Sequence, residues 1–241
     1  MGLYFAIFGI VTTLSIVCFV TYLANRYGFE IIAATYAVLV VIGSVLAAKI
    51  VNFGFFTVPS AIIVAAATFF VTDIICELWG KQYAKKAVWL GILGLAIFVV
   101  SQYIAVNWPS SIEASVKYDE VMSQTPRIAI ASFLAYIVSQ FLDVNVFHRI
   151  KKLTKGRLLW VRNNGSTFFS QIVDTTVFVL IAFYGTYSNK QVLSIVYGMI
   201  GVKLFIALVD TPFLYFVVWM FNKETINDNE VRHLKSYESL K

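Results

Sequence analysis

Seven apolar runs, residues 3–24, 31–51, 58–79, 84–106, 127–148, 166–187 and 191–221, take up most of this chain. A helix rises 1.5 Å per residue, so a hydrocarbon layer of roughly 30 Å needs about 20 apolar residues, and each run has that length. Lipid offers no water to backbone N–H and C=O groups, so such runs are predicted to be helices. Charged residues make up 13% of the chain and hydrophobic ones 59%, against roughly 25% charged in soluble domains, which leaves no room for a large soluble unit. The predicted fold class is an all-α integral membrane protein, a bundle of six core transmembrane helices plus one extra N-terminal transmembrane helix. Residues 1–24 are read as the extra helix, 25–221 as the core and 222–241 as a tail. The first run has no basic stretch before it and no small-residue cleavage site, so it reads as a retained helix rather than a signal peptide.

The connections alternate in charge. Arg26, Lys81, Lys85, Lys86, Arg149, Lys151, Lys152, Lys155, Arg157, Arg162, Lys223, Arg232, Lys235 and Lys241 fall on one side, 14 of the 19 basic residues. Only Lys49, Lys117, Arg127 and Lys190 fall on the other. Basic loops stay cytoplasmic, so the expected orientation in the cell membrane is N-terminus outside and C-terminus inside. The same bias accounts for the net charge of +6 without a nucleic-acid partner. Residues 107–126 are expected to form an irregular surface segment. The 31-residue final run holds Pro212, which predicts tilt, a kink or an unwound stretch. The tail is expected to be a short exposed helix or a disordered end.

Six charged residues cannot be placed in loops without breaking the runs: Asp73 and Glu77, Asp143, Asp174, Lys203 and Asp210. Charge is costly in hydrocarbon, so each is predicted to point into the bundle and to mark a functional site. Helical spacing places Asp73 with Glu77, Gln140 with Asp143, and Gln171 with Asp174 on shared faces. Two runs carry nearly the same insert, Ser139-Gln140-Phe141-Leu142-Asp143 and Ser170-Gln171-Ile172-Val173-Asp174. Their helices run antiparallel, so the inserts are predicted to face each other with opposite polarity, a local echo of inverted repeats. Five carboxylates against one lysine leave some to meet water, a proton or a ligand. Carboxylates and carboxamides together suit a flat nitrogen heterocycle, a carboxylate accepting two N–H bonds and an amide serving the carbonyl side. Tyr136, Phe147, Phe168, Phe178 and Trp79 are candidates for stacking on its faces.

Other chemistries find little support. HExxH, GxSxG and GxxxxGK[ST] patterns do not occur, and the two histidines, His148 and His233, stand at a helix end and in the tail, so an enzyme is not expected. Cys18 and Cys76 lie in apolar runs and suggest neither a disulfide framework nor a metal site, and no cofactor is expected. Asn163, Asn164 and Ser166 are read as marking the start of the sixth helix, where such side chains cap free backbone donors. Gly43 to Ala47 and Ala61 to Ala65 are small-residue spacings that permit close helix contacts, within the bundle or in a homo-oligomer.

Three ordered motifs carry a family resemblance: Thr72-Asp73-Ile74-Ile75-Cys76-Glu77-Leu78-Trp79-Gly80-Lys81 with Ala87-Val88-Trp89-Leu90-Gly91, Ala131-Ser132-Phe133-Leu134-Ala135-Tyr136 leading into Ser139-Gln140, and Asn163-Asn164-Gly165-Ser166-Thr167 leading into Ser170-Gln171. From about Lys49 to Phe221 the chain resembles the queuosine precursor transporter family, also called the vitamin uptake transporter family. That resemblance implies a six-helix, single-component carrier that imports 7-deazaguanine precursors of modified tRNA nucleosides, such as preQ0 and preQ1. It implies Asp73, Glu77, Gln140, Asp143, Asn163, Gln171 and Asp174 as the substrate-binding set; Lys203 and Asp210 join it on their cost of burial alone. The family pattern favours Asn and Tyr where Cys76 and Trp79 stand, and residues 1–24 precede the six-helix core. The expected partners are a small 7-deazapurine, the lipid bilayer and one or more coupling protons. Competing readings are a substrate-binding subunit of an energy-coupling-factor vitamin transporter and a membrane enzyme using the acid cluster for general acid/base work.

Overall fold

The structure, a computed structural model, describes residues 2–47, 49–54, 56–110, 112, 116, 118–119, 126–185 and 188–238. In order these form α1 (Gly2–Tyr27), α2 (Phe29–Leu46), β1 (Ile50–Phe53), β2 (Phe56–Pro59), α3 (Ile62–Leu78), α4 (Lys81–Asn107), α5 (Pro126–Leu153), α6 (Leu159–Phe183) and α7 (Asn189–Glu238). The chain is an all-α membrane protein in all but one hairpin. Six helices have the length and hydropathy to cross a bilayer: Tyr4–Tyr27, Phe29–Leu46, Lys81–Asn107, Ile130–Leu153, Leu159–Ala182 and Val192–Phe221. The remaining helix, α3, has 17 residues and is the hub of the bundle, with Ile62, Ala66 to Cys76 all buried. At about 1.5 Å per residue it rises about 26 Å, a little short of the hydrocarbon layer.

The β-hairpin accounts for that shortness and corrects the predicted runs 31–51 and 58–79. Ile50 pairs with Pro59, Val51 with Val58, Asn52 with Thr57 and Phe53 with Phe56. The stretch is rich in β-branched and aromatic residues, which favour strands, and Gly54 supplies the positive φ of 59° at the turn. The two strands satisfy each other's backbone groups, as a non-helical segment packed among helices must. Ser60 closes the base, its N–H donating to Lys49 O at 2.7 Å and its hydroxyl to Leu46 O at 2.8 Å. Phe53 meets the Phe205 ring of α7 at 6.2 Å, and Phe56 lies over Gly198 on the same helix.

Tight turns join the helices at the basic end. Gly28 links α1 to α2 with φ 116°, and Gly80 links α3 to α4 with φ 89°, conformations that side chains on Cβ disfavour. Between α5 and α6, Lys155, Gly156 and Leu158 all have positive φ. This compact turn lets α6 begin at Leu159, seven residues before the predicted start at 166. Arg162, predicted in a loop, and Asn163 to Thr167, predicted at a cap, therefore lie inside the helix. α7 carries Pro212 within a helix of 50 residues rather than an unwound stretch, and the tail continues it as helix to Glu238. The predicted surface segment 107–126 lies largely outside the described residues.

α5 and α6 pack along most of their length, α6 also lies against α7, and α3 touches α4, α5 and α7. α2 and α4 approach closely at Gly94, whose absent side chain faces Val41, with Ala37 O 3.8 Å from where a Cβ would stand. Gly94→Ala is expected to leave stability nearly unchanged. Gly94→Ile, overfilling the seam, is expected to cost about 1–3 kcal/mol, read as a lower midpoint in a thermal unfolding scan of the purified chain.

Candidate functional site

The two Ser-Gln-x-x-Asp inserts meet across the α5–α6 interface and exchange hydrogen bonds. Ser139 donates to Asp174 Oδ1 at 2.8 Å, and Ser170 donates to Asp143 Oδ1 at 2.9 Å. The predicted opposed polarity is thus realised as two reciprocal contacts about a local two-fold. Each serine lies four residues before its own aspartate, one turn away, so antiparallel packing sets each serine opposite the other insert's acid.

Below this exchange, toward the basic end, lies a sealed acid layer. Asp143 accepts from Thr72 Oγ1 at 3.4 Å, and its carboxyl group adjoins that of Asp73. Asp73 accepts from Thr167 at 3.4 Å, and Asp210 accepts from Asn163 Nδ2 at 3.0 Å. Asp73, Asp143, Asp210, Asn163, Gln140 and Gln171 are all buried. Among the described residues no lysine or arginine pairs with Asp73, Asp143 or Asp210. Acceptors outnumber donors here: Asp73 Oδ1, Asn163 Oδ1 and Gln171 Oε1 are buried with no hydrogen-bond partner, each a cost that a ligand donor, a proton or water would offset. Among the described residues no group of three His, Cys, Asp or Glu side chains is arranged to hold a metal ion.

Above the layer is a cavity of about 130 Å³ that runs from the hairpin end of the bundle to mid-depth. Its polar lining includes Thr68, Tyr136, Asp174 and Lys203. Lys203 Nζ donates to Asp174 Oδ2 at 2.5 Å and to Thr175 Oγ1 at 3.3 Å, so Lys203 neutralises the aspartate that borders the cavity. Gln140 links cavity to acid layer, its Nε2 donating to Thr68 at 3.2 Å while Thr72 lies 3.5 Å from its Oε1.

Glu77 stands apart. It lies at the basic end, gripped by Arg162 through Nε at 2.9 Å and Nη2 at 2.6 Å, with Lys151 Nζ at 3.0 Å. Lys151 also donates to the Glu77 backbone carbonyl, and Arg162 Nη1 donates to Gly156 O and Arg157 O. A forked guanidinium on a carboxylate is the strongest geometry of its kind, and here it ties the end of α3 to the α5–α6 turn.

The nine predicted site residues therefore fall into three groups: Asp174 and Lys203 at the cavity, Gln140, Asp143, Asp73, Asn163, Gln171 and Asp210 in the sealed layer, and Glu77 in the latch at the basic end. Of the aromatic candidates, Tyr136 and Phe178 line the cavity. Phe147 is buried near Arg162, Phe168 is exposed on the bundle surface, and Trp79 packs on Phe29 and Phe221. Sequence reasoning passed over Thr68, Thr72, Thr167 and Tyr36. The hydroxyls at 68 and 72 stand one turn apart on one face of α3, and that spacing was the available signal.

A family model described as "Putative vitamin uptake transporter" matches residues 59–217, a stretch that runs from the end of β2 into α7 and contains every one of these nine positions. The chain belongs to this family. The resemblance read from the ordered motifs is thereby confirmed. Among similar proteins, the "Probable queuosine precursor transporter" of Bacillus subtilis is 38% identical over 150 residues, 61% of this chain and 66% of its own length. A protein of the same name from Haemophilus influenzae is 36% identical over 120 residues, 48% of each chain. The "Queuosine precursor transporter" of Escherichia coli is 31% identical over 119 residues, 48% of this chain and 51% of its own. The chain thus spans between about half and two thirds of the length of these relatives. No solved structure matches it.

In this family member the fork on Glu77 is a stability element. Removing one partner of a buried pair strands the other's charge, at a cost of about 3–5 kcal/mol. Arg162→Ala is accordingly expected to lower the unfolding midpoint sharply in a denaturant titration, whereas Lys151→Ala, removing a side chain that is 29% exposed, is expected to cost well under half as much.

Proposed function

We propose that this chain carries 7-deazaguanine precursors of queuosine, compounds of the preQ0 and preQ1 type, across the cell membrane as a single-component carrier or facilitator, without enzymatic turnover. Family membership and the names of the three relatives support a transporter of that class. The observation that carries the proposal is a cavity that ends at mid-depth on one acceptor, Asp174, and two donors, Lys203 and Tyr136, directly above an acceptor-rich layer. A 7-deazaguanine presents two adjacent N–H donors and a ring carbonyl on one edge. Asp174 accepts the two donors, Lys203 stays on Thr175 beside it, and the ring carbonyl turns to a donor on the cavity wall. Phe178 supplies an apolar face beside it.

Translocation in this proposal follows alternating access. With the N-terminus outside, the cavity faces the exterior and the Glu77–Arg162–Lys151 latch closes the cytoplasmic side. Opening the latch while the cavity collapses hands the substrate past Gln140 to the cytoplasmic half. The uncompensated carboxyl groups of Asp73, Asp143 and Asp210 take up the substrate's donors or a coupled proton on the way.

Liposomes holding the purified chain and no other protein are expected to take up radiolabelled preQ1 or preQ0, in competition with unlabelled compound. Asp174→Asn and Asp143→Asn should each reduce that uptake at least tenfold with the protein still inserted. Wild-type uptake in both variants would remove these carboxylates from the mechanism, and uptake that appears only when ATPase and coupling subunits are added would replace the carrier with a substrate-binding subunit.

A further inference from the structure

We propose that the Tyr136 hydroxyl is a substrate-reading hydrogen-bond donor, aimed by Tyr36 and seated on Gly91, which selects occupants bearing a ring carbonyl or another acceptor. The proposal rests on the carrier reading above and adds to it the group that discriminates among heterocycles.

Tyr136 of α5 lines the cavity, and its hydroxyl oxygen lies 2.8 Å from that of Tyr36 on α2. Tyr36 is 0% exposed. Two phenols bring two protons to this pair, and only one fits between the oxygens. Among the described residues the Tyr36 hydroxyl meets no other acceptor, and at this burial no solvent reaches it, so its proton belongs on the Tyr136 oxygen. An unsatisfied buried donor is the costlier arrangement. The Tyr136 proton is then left for whatever fills the cavity.

Most other donors on the cavity wall are engaged. Ser44 donates to Val40 O at 3.2 Å, Thr68 to Ala65 O at 2.7 Å, and Lys203 to Asp174 and Thr175. Tyr136 and Ser132 remain, and a phenol is the stronger donor of the two. α4 makes room for this pair through one residue. A Cβ at Gly91 would stand 2.2 Å from Tyr136 Oη, 2.8 Å from Tyr36 Cε1 and 3.2 Å from Val40 Cγ2. The first two distances exclude any side chain while both phenols hold these positions. Gly91 is thus a positioning residue: it sets where the donor sits without touching the occupant.

The test is equilibrium binding of two probes to the purified full chain, 7-deazaguanine and its 6-thio analogue, in which a weakly accepting thiocarbonyl replaces the ring carbonyl while both N–H donors remain. Wild type is expected to prefer the carbonyl-bearing probe by about tenfold, the loss that follows an unpaired buried acceptor or donor. Tyr136→Phe should erase that preference by weakening 7-deazaguanine about tenfold, with the analogue unchanged within about twofold. Tyr36→Phe, which frees the donor to turn, should give an intermediate loss. Gly91→Ala should also erase the preference, and adding Tyr136→Phe to it should remove nothing further. A Tyr136→Phe chain that binds both probes with the wild-type preference overturns the assignment while leaving the carrier reading intact. A wild-type chain that binds neither probe overturns both.

Discussion

Asp143 and Asp174 each accept a hydrogen bond from the serine of the other's insert, and much of the bundle is arranged around that exchange. Carboxyl groups within apolar helices are tolerated only where neighbouring helices supply donors. α6 is the supplier. Its inward stripe of Asn163, Thr167 and Ser170 meets acids from α7, α3 and α5 in turn, while its own Asp174 takes Ser139 and Lys203. One amphipathic stripe thus dictates which helices surround α6 and in what rotation. The short α3 is drawn into the centre because Asp73 and Glu77 both find partners on α6.

The same stripe divides the molecule along its axis. At the cavity the charges are balanced and the polar groups reach an open space. In the middle layer acceptors are in excess and the side chains are buried. At the basic end Glu77 is paired with two cations, Arg162 and Lys151, which pin three segments together. On the proposed carrier reading, a paired cavity end, an acceptor-rich middle and a paired basic end suit the passage of a polar, donor-rich solute, because in the middle layer the solute's own donors complete the hydrogen bonding.

Much of this arrangement was legible in the sequence. Hydrophobic run length gave the helices, and cost of burial picked out Asp73, Asp143, Asp174, Lys203 and Asp210 as inward-facing, since hydrocarbon allows them no alternative. The twin inserts announced their pairing because antiparallel helices turn a repeated pattern into reciprocal contacts. Less visible was the hairpin at Ile50–Pro59: its residues are as apolar as a helix, and strand preference decides only once Gly54 and Pro59 break the run. The start of α6 was missed because polar residues were read as a cap, when tertiary partners on α7 and α3 hold them inside the helix. Arg162 was counted among loop charges for the same reason. Tyr36 carried no signal and Gly91 stood only as the end of a motif, as an apolar run gives no indication of which phenol is paired or which glycine is needed for space.

The most direct test of the account is an experimental structure of the chain with a 7-deazaguanine precursor bound. The ligand is expected between Asp174, Lys203 and Tyr136, its N–H edge on the carboxylate, with the Glu77–Arg162 fork closed. Ligand density outside the polar core, for instance in the apolar groove that Cys18, Phe19 and Tyr22 of α1 form with Phe213 and Phe216 of α7, would contradict it.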